Sequence, residues 1–269
     1  MLRKGDLTQG GITGTLLHFT LPMMVGSFLQ QCYNIADTLI VGQCIGAGAL
    51  AAVGSAYTLM VFLISVLLGL AMGSGTVFSL HYGAGNHVAL RRSIFSSFVL
   101  IGIVTLILNV AVFIWLDPIL RLLQVPQDIY GMMRSYLWII FCGIVFTFIY
   151  NFYASLLRAI GDSVTPLWFL AVSVVLNIAL DLFFILQLDW GIQGAAAATV
   201  LAQGVAALGI IIYTYRRRPE LRWHHEDMCF DRTCLKEIAS FSTLTCVQQS
   251  VMNLGILMIQ GLVNSLEQR

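Results

Sequence analysis

The chain alternates between long apolar blocks and short polar connections. Each block reaches the roughly 20 mostly apolar residues that a helix needs to cross a bilayer. The pattern therefore predicts an all-α, polytopic helical bundle with seven spans. The second, long and rich in glycine, is either one tilted helix or a helix with an irregular end. In chain order, spans 1 to 7 cover residues 13–42, 49–82, 93–116, 130–157, 165–188, 191–215 and 238–263.

Composition indicates that the solvent around these spans is lipid. Hydrophobic residues make up 58% of the chain, charged residues only 10%, and the mean hydropathy is +0.87, whereas a soluble domain carries about 25% charged residues. We therefore expect a multi-pass protein of the plasma membrane, with the lipid bilayer as its first partner. The net charge of +1 gives no indication of nucleic-acid binding.

Basic residues predict the orientation in the membrane. Eleven of the fourteen Lys and Arg residues lie at the same ends of the spans, and by the positive-inside rule they mark the cytoplasmic side. The N-terminus is thus predicted to be cytoplasmic, with odd-numbered spans running outward. The predicted organisation is a cytoplasmic N-terminus (1–12), a six-helix lobe (13–215), a basic cytoplasmic loop (216–237) and a seventh helix (238–269).

Two spans carry polar side chains along one helical face. Residues three or four apart share a face of a helix, so each stripe is expected to face protein and not lipid. The stripes are Gln30, Asn34 and Asp37 in span 1 and Ser173, Asn177 and Asp181 in span 5.

Depth places polar groups from three spans at one level. At 1.5 Å per residue, Asp37, Asp181 and Thr199 lie roughly 8, 10 and 12 Å below the outer surface. A carboxylate in hydrocarbon costs on the order of 3 kcal/mol or more, so acids at this depth normally line a polar cavity or an ion path. No Lys or Arg lies mid-membrane, and a mobile cation, Na⁺ or H⁺, would supply the missing charge. The alternative is a protonated acid that only cross-links helices.

Several motifs resemble those of the multidrug and toxic-compound extrusion (MATE) transporters. Two loops on the predicted cytoplasmic side, YGAGN and RAIGDSVTP, are together specific for this family. DTLIVGQCIGAGALAAVG, LNIALD and WGIQGAAAATVLAQ also match, in the family's order, from about residue 10 to 264.

This resemblance implies two six-helix lobes around a central cleft, which export organic cations and other amphipathic compounds against an inward flow of Na⁺ or H⁺. It implies a cation site in the first lobe at Asp37, Asn177, Asp181 and Thr199. Around these four we expect a second set of polar side chains, two suggested by the resemblance and two by the stripes: Tyr136, Asn151, Asn34 and Ser173.

Two features depart from the family pattern. Many relatives have Pro directly after the acid of span 5, where this chain has Leu182, so a helix bend at this point is in doubt. The chain also stops at Arg269, where a relative would enter its second lobe. We therefore expect a partial chain that needs a second lobe, either its missing C-terminal half or another polypeptide.

An internal repeat supports this expectation. Three polar or small residues of span 7 match three of span 1 at a constant offset, so span 7 resembles the first helix of a second copy, and parallel repeats are a common plan in transporters. The position equivalent to Asp37 is Ile256, so the acid is expected only in the first lobe. The matched pairs are Gln30 with Gln249, Asn34 with Asn253, and Gly42 with Gly261.

Other functions receive less support from the sequence. No HExxH, P-loop or nucleophile-elbow motif occurs, so we expect a transporter and not an enzyme. The six cysteines form no C-x-x-C pair, and we expect no cofactor and no metal beyond Na⁺. Two alternatives remain open. One is a lipid-linked oligosaccharide flippase of a related fold, which would favour a basic cavity, and the other is a non-transporting remnant.

Overall fold

A computed structural model describes residues 12–122, 125–223 and 232–267, and these residues form helices without a β-strand. The predicted N-terminal segment 1–12 lies almost wholly outside the described residues, as does the middle of the predicted loop 216–237. The helices are α1 (Ile12–Cys44), α2 (Ala47–Gly83), α3 (His87–Leu122), α4 (Gln127–Cys142), α5 (Ile144–Ala159), α6 (Val164–Leu182), α7 (Gly191–Arg217) and α8 (Arg232–Glu267), with a π-helical turn (Phe183–Gln187) after α6 and a 3₁₀ turn (Pro219–Leu221) after α7.

All seven predicted spans form helical segments. By length and composition four of them can cross a membrane alone: α2, α3, α6 with its π-helical turn, and α7. The pair α4 and α5 forms a fifth candidate span. Spans 1 and 7 correspond to helices α1 and α8, which have 33 and 36 residues. These two helices are not among the five candidate spans. The second span, for which one tilted helix and a helix with an irregular end were both open, is one continuous helix.

Span 4 was predicted as one helix and is two. It breaks at Gly143, and α4 and α5 meet at a bend of 47°. A Cβ added to Gly143 would lie 2.5 Å from a methyl group of Val200 on α7. Only glycine allows α7 to approach the backbone so closely here, and its low helix propensity also favours a break.

The second irregularity follows the buried acid of span 5. After Leu182 the helix widens into the π-helical turn, in which the backbone N–H of Leu188 donates to the carbonyl of Phe183 at 3.3 Å. Such turns often occur beside functional sites. The helix is therefore distorted next to Asp181 although proline is absent.

The last helix begins earlier than predicted. α8 starts at Arg232, inside the segment predicted as loop, and packs chiefly against α2. Small residues permit this contact, because a Cβ at Gly73 would overlap the backbone of Ser242. Ser242 also donates a hydrogen bond to the carbonyl of Leu70 at 3.3 Å. The described part of α8 is thus held against the six-helix lobe.

The two loop motifs cap helices. Asn86 of YGAGN accepts a hydrogen bond from the N–H of Ala89 at 3.1 Å at the start of α3. Asp162 of RAIGDSVTP accepts from the N–H of Thr165 at 3.0 Å and from its hydroxyl at 2.9 Å at the start of α6. Its second oxygen also lies 3.3 Å from the guanidinium of Arg218. Both motifs therefore order the turns between spans.

Candidate functional site

Two acids from different helices meet inside the bundle. α1 packs chiefly against α6, and this packing brings the carboxyl groups of Asp37 and Asp181 close enough to interact electrostatically. Asp181 is fully buried and Asp37 is partly buried. Within the described part of the chain, Oδ1 of each acid is buried without a hydrogen-bond partner. Two carboxyl oxygens thus remain available inside the protein.

Asn177 and Thr199 connect α6 to α7 beside this pair. Both side chains are buried. In the amide orientation that gives Asn177 a partner on each side, its nitrogen donates to Oδ2 of Asp181 at 2.9 Å, and its oxygen accepts from the backbone N–H of Thr199 at 3.2 Å. The structure therefore brings together Asp37, Asn177, Asp181 and Thr199, the four residues predicted to form one site.

Two tyrosines surround the four residues. The hydroxyl of Tyr33 lies 3.3 Å from the Thr199 hydroxyl, within hydrogen-bond distance. Tyr136 on α4 is buried and interacts electrostatically with both acids. Tyr136 was among the expected surrounding residues, whereas Tyr33 was missed. Its position four residues before Asp37, on the same face of α1, was the signal that could have found it.

The other expected polar residues make their hydrogen bonds to residues outside this cluster, or none is described for them. The amide nitrogen of Asn34 donates to the side chain of Gln31 at 3.1 Å, and that of Asn151 donates to the carbonyl of Thr147 at 2.8 Å. Ser173 is partly buried on α6. One turn beyond Thr199 on α7, Gln203 accepts a hydrogen bond from Thr147, so the polar region extends towards α5.

The chemistry of the cluster is that of oxygen ligands. The buried polar residues of the described chain include no Lys or Arg. Two carboxyl groups in contact inside a bilayer cannot both carry an uncompensated negative charge, so the pair requires a proton or a cation. Carboxylate, amide and hydroxyl oxygens are the ligands that hard cations take. The described residues, this cluster included, contain no group of three or more His, Cys, Asp or Glu that could hold a metal ion.

Comparison with protein families matches residues 22–183 to MatE, which is more than half of the chain and includes Asp37, Asn177 and Asp181. The chain belongs to the MatE family. It is therefore a multi-pass membrane protein of the MATE transporter family, as the loop motifs and the apolar spans indicated.

Similar proteins are named as multidrug resistance or multidrug export proteins. The chain is 36% identical over 217 residues to the probable multidrug resistance protein YpnP of Bacillus subtilis. The aligned region covers 81% of this chain and 49% of YpnP. It is 32% identical over 210 residues to the multidrug export protein MepA of Staphylococcus saprophyticus. This alignment covers 75% of this chain and 45% of MepA. The chain thus spans about half the length of these curated relatives.

A solved MatE-type structure shares the fold. It is described as the outward-facing conformation of a multidrug resistance MATE family transporter. It matches with a TM-score of 0.88 at 24% identity, over 96% of this chain and 57% of that one. The all-α lobe predicted from the sequence is confirmed, and the match to little more than half of the solved chain agrees with one lobe plus the start of another.

Proposed function

We propose that this chain forms the cation-binding lobe of an exporter that moves organic cations, drugs or toxic metabolites outward while Na⁺ or H⁺ moves inward. The contact between Asp37 and Asp181 carries this proposal. Each acid alone could be explained as a helix cross-link. Together, without a described buried Lys or Arg beside them, they form a site whose charge changes when a small cation enters or leaves.

Coupling follows if the cation and the substrate favour different states of the lobe. A ligand shifts a conformational equilibrium only by its differential affinity for the two states. The acid pair joins α1 to α6, and Asn177 and Tyr33 join this pair to Thr199 of α7. Occupation of the pair by a cation would change the contacts among these three helices, and α1 packs against few other elements of the bundle.

The identity of the exported compound is proposed from two sources. The relatives named above are described as multidrug resistance or multidrug export proteins, which supports a broad range of amphipathic substrates. The absence of a described buried Lys or Arg favours cationic substrates over anionic ones. It also argues against the lipid-linked oligosaccharide flippase, which would favour a basic cavity.

Transport by this lobe is proposed to need a second lobe. The outer face of α1 exposes large apolar side chains to solvent or lipid, including Leu21, Met24 and Phe28 at 61%, 64% and 71%. In the two-lobe arrangement that the relatives' length supports, a cleft forms between lobes. We propose that further sequence or another polypeptide supplies the second lobe, that the assembly resides in the plasma membrane with a cytoplasmic N-terminus, and that the isolated chain does not transport.

The coupling ion can be tested in proteoliposomes that contain the chain completed with a second lobe. A fluorescent organic cation such as ethidium is the substrate, driven either by a Na⁺ gradient at constant pH or by a pH gradient without Na⁺. We expect at least one gradient to drive ethidium movement. Movement that is the same with and without both gradients would contradict cation coupling.

A further inference from the structure

The bundle contains a cavity of about 680 Å³ at its predicted outer end. Its walls come from the turn after α1, one face of α4, and the start of α7 with the two residues before it. This volume lies within the range of small-molecule sites. The residues that line it are Ile45, Met132, Ile139, Asp189, Trp190, Gly191, Ile192, Gln193 and Ala197.

Helical spacing relates this cavity to the acid pair. Met132 and Ile139 line the cavity and lie seven residues apart on α4, with Tyr136 between them on the same face. Tyr136 is buried and interacts with both Asp37 and Asp181. Ile45, in the turn directly after α1, lies about two helical turns beyond Asp37. The cavity therefore begins on the outer side of the acid pair, and Tyr136 connects the cavity-lining face of α4 to the two acids.

One charged group faces this cavity. Asp189 is the single charged side chain among the described residues that line it, and the other walls are apolar or amide. A carboxylate just before a helix commonly caps the helix. Asp189 does not: the N-cap of α7 is Trp190, no side-chain cap hydrogen bond forms there, and Asp189 makes no ion pair with any residue that the structure describes.

The backbone around Asp189 is ordered and unusual. Asp189 has a φ of +53°, a region that side chains other than glycine seldom adopt. Its neighbour Trp190 fixes the turn, since the Trp190 N–H donates to the carbonyl of Phe184 at 3.0 Å and the two rings stack with centroids 5.1 Å apart. Residues held in this region often occur at functional sites.

We propose that this cavity is the outer vestibule of the acid pair and that Asp189 makes it selective for cations over anions. A single carboxylate at the mouth of a low-dielectric cavity raises the local concentration of cations and lowers that of anions. The ion could be the inorganic coupling ion or the ammonium group of an organic cation, for which Trp190 offers an aromatic surface. The role rests on the proposed cation coupling, but charge selectivity can be measured without transport.

The test uses a cysteine placed inside the vestibule. Ala197→Cys is introduced after the native cysteines are replaced by Ser, and Gln193→Cys serves as a second reporter nearer the mouth. The purified protein reacts with a trimethylammonium-ethyl or a sulfonatoethyl methanethiosulfonate. Both rates are divided by those for a free thiol in solution. The corrected ratio of the cationic rate to the anionic rate measures selectivity.

We expect this ratio to exceed one and Asp189→Asn to lower it by about fivefold, because one charge acts with opposite sign on the two reagents. Asp117→Asn is the matched control, since Asp117 is at the same end of the bundle, pairs with Arg134 and does not line the cavity. This control is expected to leave the ratio unchanged.

Protection distinguishes the two sources of cation. At constant ionic strength, slower modification in NaCl than in tetraethylammonium chloride indicates the inorganic ion, and the reverse order indicates the organic cation. A ratio that does not change with Asp189→Asn would overturn the proposal. Two unreactive reporters would overturn it as well. If the two-lobe protein shows no gradient-driven ethidium transport but the modification rates still favour the cationic reagent, only the proposed function is contradicted.

Discussion

Asp37 and Asp181, 144 positions apart in the chain, lie close enough to interact electrostatically inside the bundle. Neither acid has a described Lys or Arg beside it, and each keeps one buried oxygen without a partner. A pair of this kind is costly for a protein that only needs to join two helices, since an amide would do so with less desolvation. The pair therefore supports the proposal that a cation enters and leaves this site.

The tyrosine hydroxyl beside Thr199 is predicted to support cation binding. Tyr33→Phe removes one hydrogen bond of about 1 kcal/mol and keeps the ring, so the apparent cation affinity of the two-lobe protein should fall by about fivefold. Tyr57→Phe is the control, because Tyr57 is half-exposed on α2. The measurement is ethidium transport against Na⁺ concentration or pH. Equal curves for the two variants would remove Tyr33 from the site.

Packing of α8 on α2 is predicted to depend on Gly73. Gly73→Ala places a methyl group against the backbone of Ser242, which cannot move without displacing α8. The apparent unfolding temperature in detergent should fall by several degrees. Gly54→Ala on the same helix meets nothing within 4 Å and should leave the temperature unchanged or raise it slightly. Equal unfolding temperatures for the two variants would show that this contact is absent in solution.

The RAIGDSVTP loop is predicted to act through Asp162. Asp162→Ala removes the bonds to Thr165 and the ion pair with Arg218, and should reduce stability by about 1 kcal/mol or more. Asp162→Asn keeps an oxygen acceptor for Thr165 and should lose less. Stability is compared by denaturant unfolding in detergent. Equal losses for the two substitutions would assign the effect to the charge and not to the cap.

The orientation remains a prediction and can be tested by labelling. Single cysteines are introduced at four exposed positions in a background without native cysteines: Val88, Gln127, Gln187 and Pro219. An impermeant thiol reagent added outside intact cells should label positions 127 and 187 and not 88 and 219, because the basic residues accompany the latter. Labelling of 88 and 219 alone would reverse the topology and place the acid pair nearer the cytoplasm.

The helices and the level of the acids could be predicted because hydropathy and helix rise are local properties. Asp37, Asp181 and Thr199 were therefore assigned to one depth from spacing alone. The break at Gly143 could not be predicted in this way, since it depends on Val200 of another helix. The early start of α8 likewise depends on its contact with α2. Tyr33 was missed because tyrosine within a span resembles ordinary packing.

Cation binding by the acid pair is tested most directly at Asp181. Asp181→Asn keeps the side-chain volume and can still bridge helices, so the protein should insert and fold, while the charge that attracts the cation is lost. Asp37→Asn should behave alike, and the double substitution should be little worse because the two groups act as one unit. Leu180→Ala, at the adjacent position, is the control for packing.

The deciding measurement is the rate of cation-driven ethidium efflux by the two-lobe protein at matched membrane expression. The account predicts that Asp181→Asn abolishes this efflux and that Leu180→Ala largely retains it. Near-normal efflux by Asp181→Asn, or an equal loss in both variants, would contradict the cation site and leave Asp181 as a helix-packing residue.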